Sequence, residues 1–311
     1  MMHISRIVVI AALFAVTCAP VFAQTSSISE TGKTGMSFLG IAPTSRTASL
    51  GGVTPSTYTG ASSIWSNPSL IAHRNQRWLE FTHTEWIEGI RQEYASVITP
   101  TSLGHLGFGV QMLDSGDIEL RGDSPSSGPL GTYSIKNVAF SFTYARPLAS
   151  FVTAGATYKM LFEKVSDENA YGYAVDAGLT FKMPVEGLYL STVARNYGRM
   201  EKLQNDRTKL PSDVILGGMY ETLMPRYMFP VRLLSSVVFP RFGDNGFRGG
   251  VEFEPLQILA LRIGYRSDSD IETMSYGVGV MFDRFNADVS YTPMQQGFDS
   301  ALRVSLSVTG F

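Results

Sequence analysis

Few residues in this sequence could carry acid–base or metal chemistry. The 311 residues include four histidines and one cysteine. His73, His83 and His105 lack the spacing of a metal site, and His83 lies in a segment typical of a strand, so structural roles are favoured over metal binding. Serine-hydrolase, zinc-protease and phosphate-loop motifs are absent from the sequence. We therefore predict a protein that is not an enzyme and that uses no cofactor and no metal ion.

Two short motifs in the predicted loops carry little chemistry. Arg121–Asp123 reads RGD, a tripeptide that often arises by chance, and we assign it no function. Ser267–Glu272 reads SDSDIE and could hold calcium weakly, although a solvated loop explains it better. The net charge is −2 and no basic patch is present, so the sequence predicts no nucleic-acid partner.

A third group of charged residues occupies alternate positions in otherwise apolar segments. A charge that faces lipid costs about 2–4 kcal/mol at the middle of a bilayer, so these side chains are expected inside a closed sheet. They could line a channel or form structural ion pairs that hold a plug, and we favour the ion pairs. The expected lumen charges are Lys159, Glu163, Asp176, Lys182, Asp213, Arg232, Arg248, Glu252, Asp288 and Arg303.

The elements that must position these residues are β-strands. From Arg77 onward the hydrophobic period is two, as where Val138, Phe140 and Phe142 alternate with small or polar residues. About fourteen such segments follow, and many have roughly the 9–11 residues that cross a bilayer when tilted. Short connections alternate with long polar ones, which is typical of outer-membrane barrels. We predict an all-β fold, a transmembrane antiparallel β-barrel of about 14 strands, with both chain ends on the periplasmic side.

The first 23 residues have the pattern of a secretory signal peptide. One early cation, Arg6, is followed by an apolar run, and Val21 and Ala23 fit a cleavage site before Gln24. A buried N-terminal helix is the less favoured alternative. Cys18 lies inside this segment without the flanking residues of a lipid-attachment site, so the mature chain is expected to lack cysteine. With no later apolar run long enough for a transmembrane helix, we predict export to the outer membrane of a Gram-negative bacterium.

Residues 24–76 interrupt the strand pattern. This segment is rich in small residues, but Phe38, Ile64 and other apolar residues within it need burial, so we predict a plug, or hatch, with short helices in the barrel lumen. Asn67-Pro68 fits a helix start, since Asn caps free amides and Pro suits the first helical position. The predicted organisation is a signal peptide at 1–23, a hatch at 24–76 and a barrel at 77–311.

The hatch sequence resembles the start of the PorV/PorQ family of outer-membrane proteins, which belongs with barrels similar to the FadL fatty-acid transporter. The matching residues are Arg46, Gly51, Gly52, Trp65, Asn67, Pro68 and Leu70, in the pattern R-x-x-x-x-G-G followed by aromatic-x-Asn-Pro. The resemblance implies a fourteen-stranded barrel with an N-terminal hatch. The usual acidic pair between these elements is missing, and Phe311 is out of phase with the last strand.

Two functions follow from the resemblance. PorV and PorQ imply a component of the type IX secretion system, which would contact exported cargo or other secretion proteins through extracellular loops. FadL implies uptake of a hydrophobic small molecule such as a long-chain fatty acid. The two longest loops are mostly polar, which favours the secretion role. A purely structural barrel is a third alternative, and outer-membrane lipid is the expected surrounding in all three.

Overall fold

A computed structural model describes residues 34–53, 60–122, 128–203, 206–224, 229–256 and 258–311. The predicted signal peptide at 1–23 and the first part of the predicted hatch lie outside the described residues. Asp123 of the RGD motif lies outside them as well. Within the described part of the chain, no helix is both long enough and apolar enough to cross a membrane.

Fourteen antiparallel strands form a closed barrel, which confirms the predicted fold class. Each strand pairs with its neighbours along the chain, and Trp78 in the first strand lies opposite Thr309 in the last, where the barrel closes. The barrel strands are β1 (Trp78–Glu85), β2 (Arg91–Thr101), β3 (Gly104–Asp114), β6 (Ile135–Ala149), β7 (Val152–Val165), β8 (Glu168–Lys182), β9 (Leu188–Met200), β12 (Asp213–Leu223), β13 (Pro230–Pro240), β14 (Gly246–Leu256), β15 (Leu259–Arg266), β16 (Met274–Phe282), β17 (Phe285–Thr292) and β18 (Ala301–Thr309).

The connections differ between the two ends of the barrel. At one end, here called the turn end, residues 102–103, 150–151 and 283–284 make tight turns. At the other, the loop end, the long connections carry two small hairpins of their own. These are β4 (Ile118–Leu120) with β5 (Gly131–Tyr133), and β10 (Lys202–Leu203) with β11 (Asp206–Arg207). The predicted alternation of short and long connections is present in most hairpins, but residues 166–167 alone join β7 and β8 at the loop end.

The outer surface of the barrel is apolar. Large hydrophobic side chains point outward on every second residue, among them Phe140, Phe142 and Tyr173, which are 54%, 47% and 48% exposed. Their neighbours along each strand, such as Ala139 and Thr143, are buried inside. Exposing this much apolar surface to water would be unfavourable, so the surface suits the hydrocarbon of a bilayer.

The lumen is occupied by the N-terminal segment, residues 34–53 and 60–76, here called the hatch. It contains four short helical turns: Ser37–Gly40, Ser45–Ser49, Ser63–Ser66 and Pro68–Ala72. At the loop end, Phe38 and Leu39 pack on wall residues that include Leu161. At the turn end, Ile64 and Ile71 pack on Ile98 and Ala145. The hatch thus spans much of the height of the lumen.

The start of the described hatch lies at the loop end, where the Gly35 amide donates to the Lys209 carbonyl oxygen at 3.1 Å. Trp78 and Thr309 lie together at the turn end, as an even number of strands requires. The prediction that both ends of the chain lie on one side of the membrane therefore holds for the start of β1 and the end of β18. It does not hold for the hatch, because the chain crosses the lumen from the loop end to the turn end before β1 begins.

Gly51 and Gly52 allow the hatch to touch the wall. Both have positive φ angles, 72° and 66°. A Cβ atom on Gly51 would lie 2.6 Å from the backbone oxygen of Tyr265 in β15, closer than any real contact. Gly51 is therefore needed both for its positive φ and for the close approach of its backbone to β15.

Candidate functional site

The Asn67-Pro68 element begins a helical turn, as predicted. The Asn67 side-chain oxygen accepts a hydrogen bond from the Ser69 amide at 3.1 Å, and Pro68 occupies the first position of the turn Pro68–Ala72, which is a 3-10 helix. The Asn67 amide nitrogen also donates to Thr180 Oγ1 of β8 at 3.2 Å, and Ser69 Oγ lies 2.7 Å from the same oxygen. The motif therefore both starts a helix and binds the hatch to the wall.

Two wall glycines make room for this element. A Cβ atom on Gly155 of β7 would lie 2.5 Å from the Pro68 carbonyl carbon, and one on Gly178 of β8 would lie 2.0 Å from the Asn67 side-chain oxygen. The hatch therefore fits this part of the wall only because both positions lack side chains. Sequence reasoning missed both glycines, although they occupy the inward phase of their strands.

Trp65 contacts another part of the hatch and β9, the wall strand next to β8. Its indole nitrogen donates to the Leu39 carbonyl oxygen at 2.9 Å. Its ring lies 4.7 Å from the guanidinium carbon of Arg195 in β9, and Arg195 in turn pairs with Asp213 at 2.6 Å. Leu70 is completely buried. These contacts give Trp65 a polar partner and a cationic neighbour, both of which stabilise a buried indole.

Glu252 of β14 joins three arginines in the lumen. Its carboxylate accepts from Arg46 of the hatch at 2.7 and 2.9 Å, from Arg232 at 2.7 Å and from Arg262 at 2.5 Å. Arg262 also reaches Asp288 at 2.6 Å. Glu252 is 1% exposed, so this charge depends on its partners for stability. Arg46, predicted as a hatch motif residue, is the contact that ties the hatch to this group.

A second group lies at the loop end. Arg248 donates to Asp268 and, through Nη1, to the Gly52 carbonyl oxygen at 2.9 Å. Arg266 donates to the same carboxylate, from Nε to Asp268 Oδ1 at 2.9 Å. Burial acts to raise the pKa of Asp268, but Arg248 and Arg266 outweigh it and hold the pKa below its ordinary value. In the described structure, Asp268 of the SDSDIE motif therefore forms ion pairs with two arginines of the wall, Arg248 and Arg266.

A third group surrounds a bulge in the wall. Lys159 of β7 pairs with Asp176 of β8 at 2.7 Å and donates to Asn196 Oδ1 at 2.7 Å. Asn196 has a φ of 58°, and the register of β8 and β9 shifts beside it, between Val175 and Ala177. The bulge turns both Arg195 and Asn196 inward, each 1% exposed.

The remaining predicted lumen charges differ in their surroundings. Glu163 accepts from Thr208 at 3.0 Å. Lys182 is exposed at the turn end of β8, where the strand leaves the lumen. Arg303 is 1% exposed and lies 4.7 Å from the Trp86 ring, but it forms no ion pair with a described carboxylate. Most of the charges thus form paired groups, which supports the ion-pair interpretation over an open charged lining.

Sequence reasoning missed several charged residues in the described part of the lumen, among them Arg195, Arg262 and Glu80. Arg195 is in the same inward phase as Ser191 and Val193, directly before the shift at Asn196, so the signal for it was present in the sequence. Arg262 and Glu80 each stand between two outward apolar residues, a signal that was present in the sequence. Glu80 is 4% exposed and accepts from the Ser62 amide of the hatch at 3.0 Å. In the described residues, no group of histidine, cysteine or acidic side chains is arranged to hold a metal ion.

Comparison with solved structures finds other barrels of the same fold. The monoaromatic hydrocarbon channel CymD aligns with a TM-score of 0.63 at 12% identity, covering 88% of this chain and 98% of CymD. The toluene transporter TodX of Pseudomonas putida gives 0.61 at 13% identity, covering 87% and 98%. The chain has the fold of these channels.

A third structure agrees with them. The toluene transporter TbuX of Ralstonia pickettii aligns with a TM-score of 0.57 at 11% identity, over 88% of this chain and 98% of TbuX. No protein-family model matches the sequence, and a comparison with curated proteins gives no match. The structural likeness shows a shared barrel fold, and it does not bear on the PorV/PorQ resemblance.

Proposed function

We propose that the protein is an outer-membrane channel that takes up a hydrophobic small molecule, with the hatch as its gate. The observation that carries this proposal is the fold, since this chain, with its fourteen-stranded barrel and hatch, aligns with CymD, TodX and TbuX over 98% of each of them. The apolar outer surface supports a place in the outer-membrane bilayer. Candidate substrates are a monoaromatic hydrocarbon and a long-chain fatty acid.

Transport through this barrel requires the hatch to move. The hatch fills the lumen from the loop end to the turn end, and its Asn67-Pro68 element lies directly against β7 and β8. The hydrogen bonds of Asn67 and Ser69 to Thr180 are few and neutral, so they can break and re-form at a modest free-energy cost, on the order of 1 kcal/mol each. This contact is therefore the place to lock the hatch.

An engineered disulfide provides the lock. Ser69 Oγ and Thr180 Oγ1 lie 2.7 Å apart, so a Ser69→Cys/Thr180→Cys pair suits a disulfide between hatch and wall. Thr143→Cys/Thr157→Cys is the matched control, because those oxygens also lie 2.7 Å apart but join two wall strands. Cys18 is the one cysteine of the sequence, and Cys18→Ser removes it from both variants.

The assay measures uptake of labelled toluene and of a labelled long-chain fatty acid by cells that carry each variant in the outer membrane. We expect the oxidised hatch lock to abolish uptake of the transported compound, a reductant to restore it, and the wall control to transport normally. Uptake that is equal in the locked and control variants would contradict gating by the hatch. Uptake of neither compound above the level of cells without the protein would contradict the channel proposal itself.

A role in protein secretion, as the PorV/PorQ resemblance implies, is the second candidate. Its support is the ion pair of Arg46 with the Glu252 group, which favours a barrel whose hatch stays in place while the extracellular loops contact cargo or secretion proteins. The same disulfide separates the two candidates. A secretion component keeps its cargo export with the hatch locked, whereas a channel loses its transport.

A further inference from the structure

One buried arginine of the lumen differs from the others. Arg195, Arg232, Arg248 and Arg262 each pair with a carboxylate of the wall. Arg303 is as deeply buried, at 1% exposure, but its hydrogen bond through Nη1 is to the neutral hydroxyl of Thr292 at 3.2 Å. Its Nε has no hydrogen-bond partner, and it pairs with no carboxylate of the described residues. A buried cation in this state calls for an anion.

The neighbours of Arg303 form a row of polar side chains across four adjacent strands. Thr84 of β1 and Ser290 of β17 lie directly opposite Arg303 on its two sides, and Gln92 of β2 lies opposite Thr84. All four are buried, at 1% exposure or less. We call these four residues the polar row. Adjacent strands are about 4.8 Å apart, so the side chains on either side of Arg303 reach the same space.

The polar row is unsatisfied along its whole length. The hydroxyls of Thr84 and Ser290, both polar atoms of the Gln92 amide and the Nε of Arg303 have no hydrogen-bond partner. Buried polar atoms in native proteins nearly always have one, so five in contiguous positions indicate a missing partner rather than a packing accident. Four of these five can donate: the guanidinium, the amide and two hydroxyls. Glu272 attracts Arg303 but forms its ion pair with Arg266, at 3.4 Å. A donor-rich row beside an arginine with no ion pair of its own suits an anion.

Trp86 covers this position. Its ring lies 4.7 Å from the guanidinium carbon of Arg303, at the start of the connection between β1 and β2 at the loop end. Trp86 is only half-buried, so it stands between the polar row and the extracellular side of the barrel. A cavity of about 10 Å³ at Arg303 is lined also by Thr292, Arg266 and Glu272 but by no other residue of the polar row, so it is not the position of the anion.

We propose that the polar row binds one small monovalent anion, of the size of chloride or the carboxylate group of acetate, with Arg303 as its charge partner and Trp86 as its cover. This site is separate from the hatch contacts on β7 and β8. It also stands whether or not the barrel transports a hydrophobic compound.

The test uses the purified protein in a neutral detergent, with chloride or acetate replacing sulfate at constant ionic strength. A Trp65→Phe/Trp78→Phe variant leaves Trp86 as its one tryptophan, because the sequence contains three, and its fluorescence reports binding. We expect a saturable change with chloride or acetate. Arg303→Gln in this background should abolish the change, and Thr84→Val, which keeps the charge but removes one donor, should weaken the affinity several-fold.

Arg91→Gln is the matched control. Arg91 lies on β2 next to Gln92 of the polar row, but its side chain is 64% exposed at the loop end. It should leave the anion response unchanged. No saturable response to either anion would overturn the proposal and indicate that the polar row is filled by water alone. A response of equal size in Arg303→Gln would overturn it as well. If Arg303→Gln does not fold, the Thr84→Val comparison decides, since unchanged affinity there would place the anion elsewhere.

Discussion

Replacing Glu252 by Gln should loosen the hatch more than it destabilises the wall. Breaking a buried ion pair by removing one partner costs about 3–5 kcal/mol, because the other charge stays buried without compensation. Of the three arginines on Glu252, Arg232 keeps Glu221 and Glu254, and Arg262 keeps Asp288. Arg46, in contrast, is left with no ion pair to a carboxylate of the described residues.

The expected loss is therefore near the lower end of that range, about 3 kcal/mol, since Arg46 is 19% exposed and water can partly solvate it. Equilibrium unfolding in detergent, followed by tryptophan fluorescence, measures the loss. Trypsin cleavage after Arg46 measures how far the hatch is released. Both changes should be partly reversed in Arg46→Gln/Glu252→Gln, which removes the unpaired charge.

Glu254→Gln is the control, because Glu254 is 19% exposed and contacts Arg232 alone in the described structure. It should cost about 1 kcal/mol or less and leave the trypsin sensitivity unchanged. If Glu252→Gln costs no more than Glu254→Gln, the Glu252 group does not hold the hatch and the reasoning is wrong.

Three further predictions concern the hatch. Gly155→Ala should push Pro68 away from β7 and destabilise the protein by about 1–3 kcal/mol, and planar-bilayer recordings should show a higher ion conductance than for Gly131→Ala, whose Cβ meets nothing within 4 Å. Trp65→Phe should lower the unfolding free energy by about 1–2 kcal/mol, since it leaves the Leu39 carbonyl oxygen without its donor. Burial lowers the pKa of His73 below 6.5, so the unfolded chain takes up a proton that the folded hatch resists. Stability should therefore be greatest above about pH 6.5 and fall below it, and His73→Gln should show a smaller drop in melting temperature between about pH 7.5 and 5.5 than the parent protein.

The barrel could be predicted from sequence because its signal is local. A strand with one face in lipid and one face inside alternates residue by residue, and short turns mark one end of every hairpin. In β9, which runs from Leu188 to Met200, the alternation breaks at Asn196. The bulge at Asn196 shifts the phase there, so the last residues no longer match the alternation.

The contacts that hold the hatch could not be predicted in this way. Asn67 meets Thr180 across 113 residues of sequence, and Arg46 meets Glu252 across 206. Nothing within either local segment specifies which strand faces the hatch or at what height. The Asn-Pro helix start was readable because it depends on adjacent residues, whereas its fit against Gly155 and Gly178 depends on the closed barrel.

The path of the hatch also constrains the order of assembly. Ser45 of the hatch donates through its amide to Ser305 of β18, 260 residues later, and the same hatch rests on β7 and β8. The chain that leaves the lumen continues directly into β1, which pairs with β18 to complete the wall. The contact of the hatch with β18 and the last strand pair both involve the final strand, so we expect docking of the hatch and closure of the barrel to be coupled. The first residues of the chain supply a core on which the last strand closes.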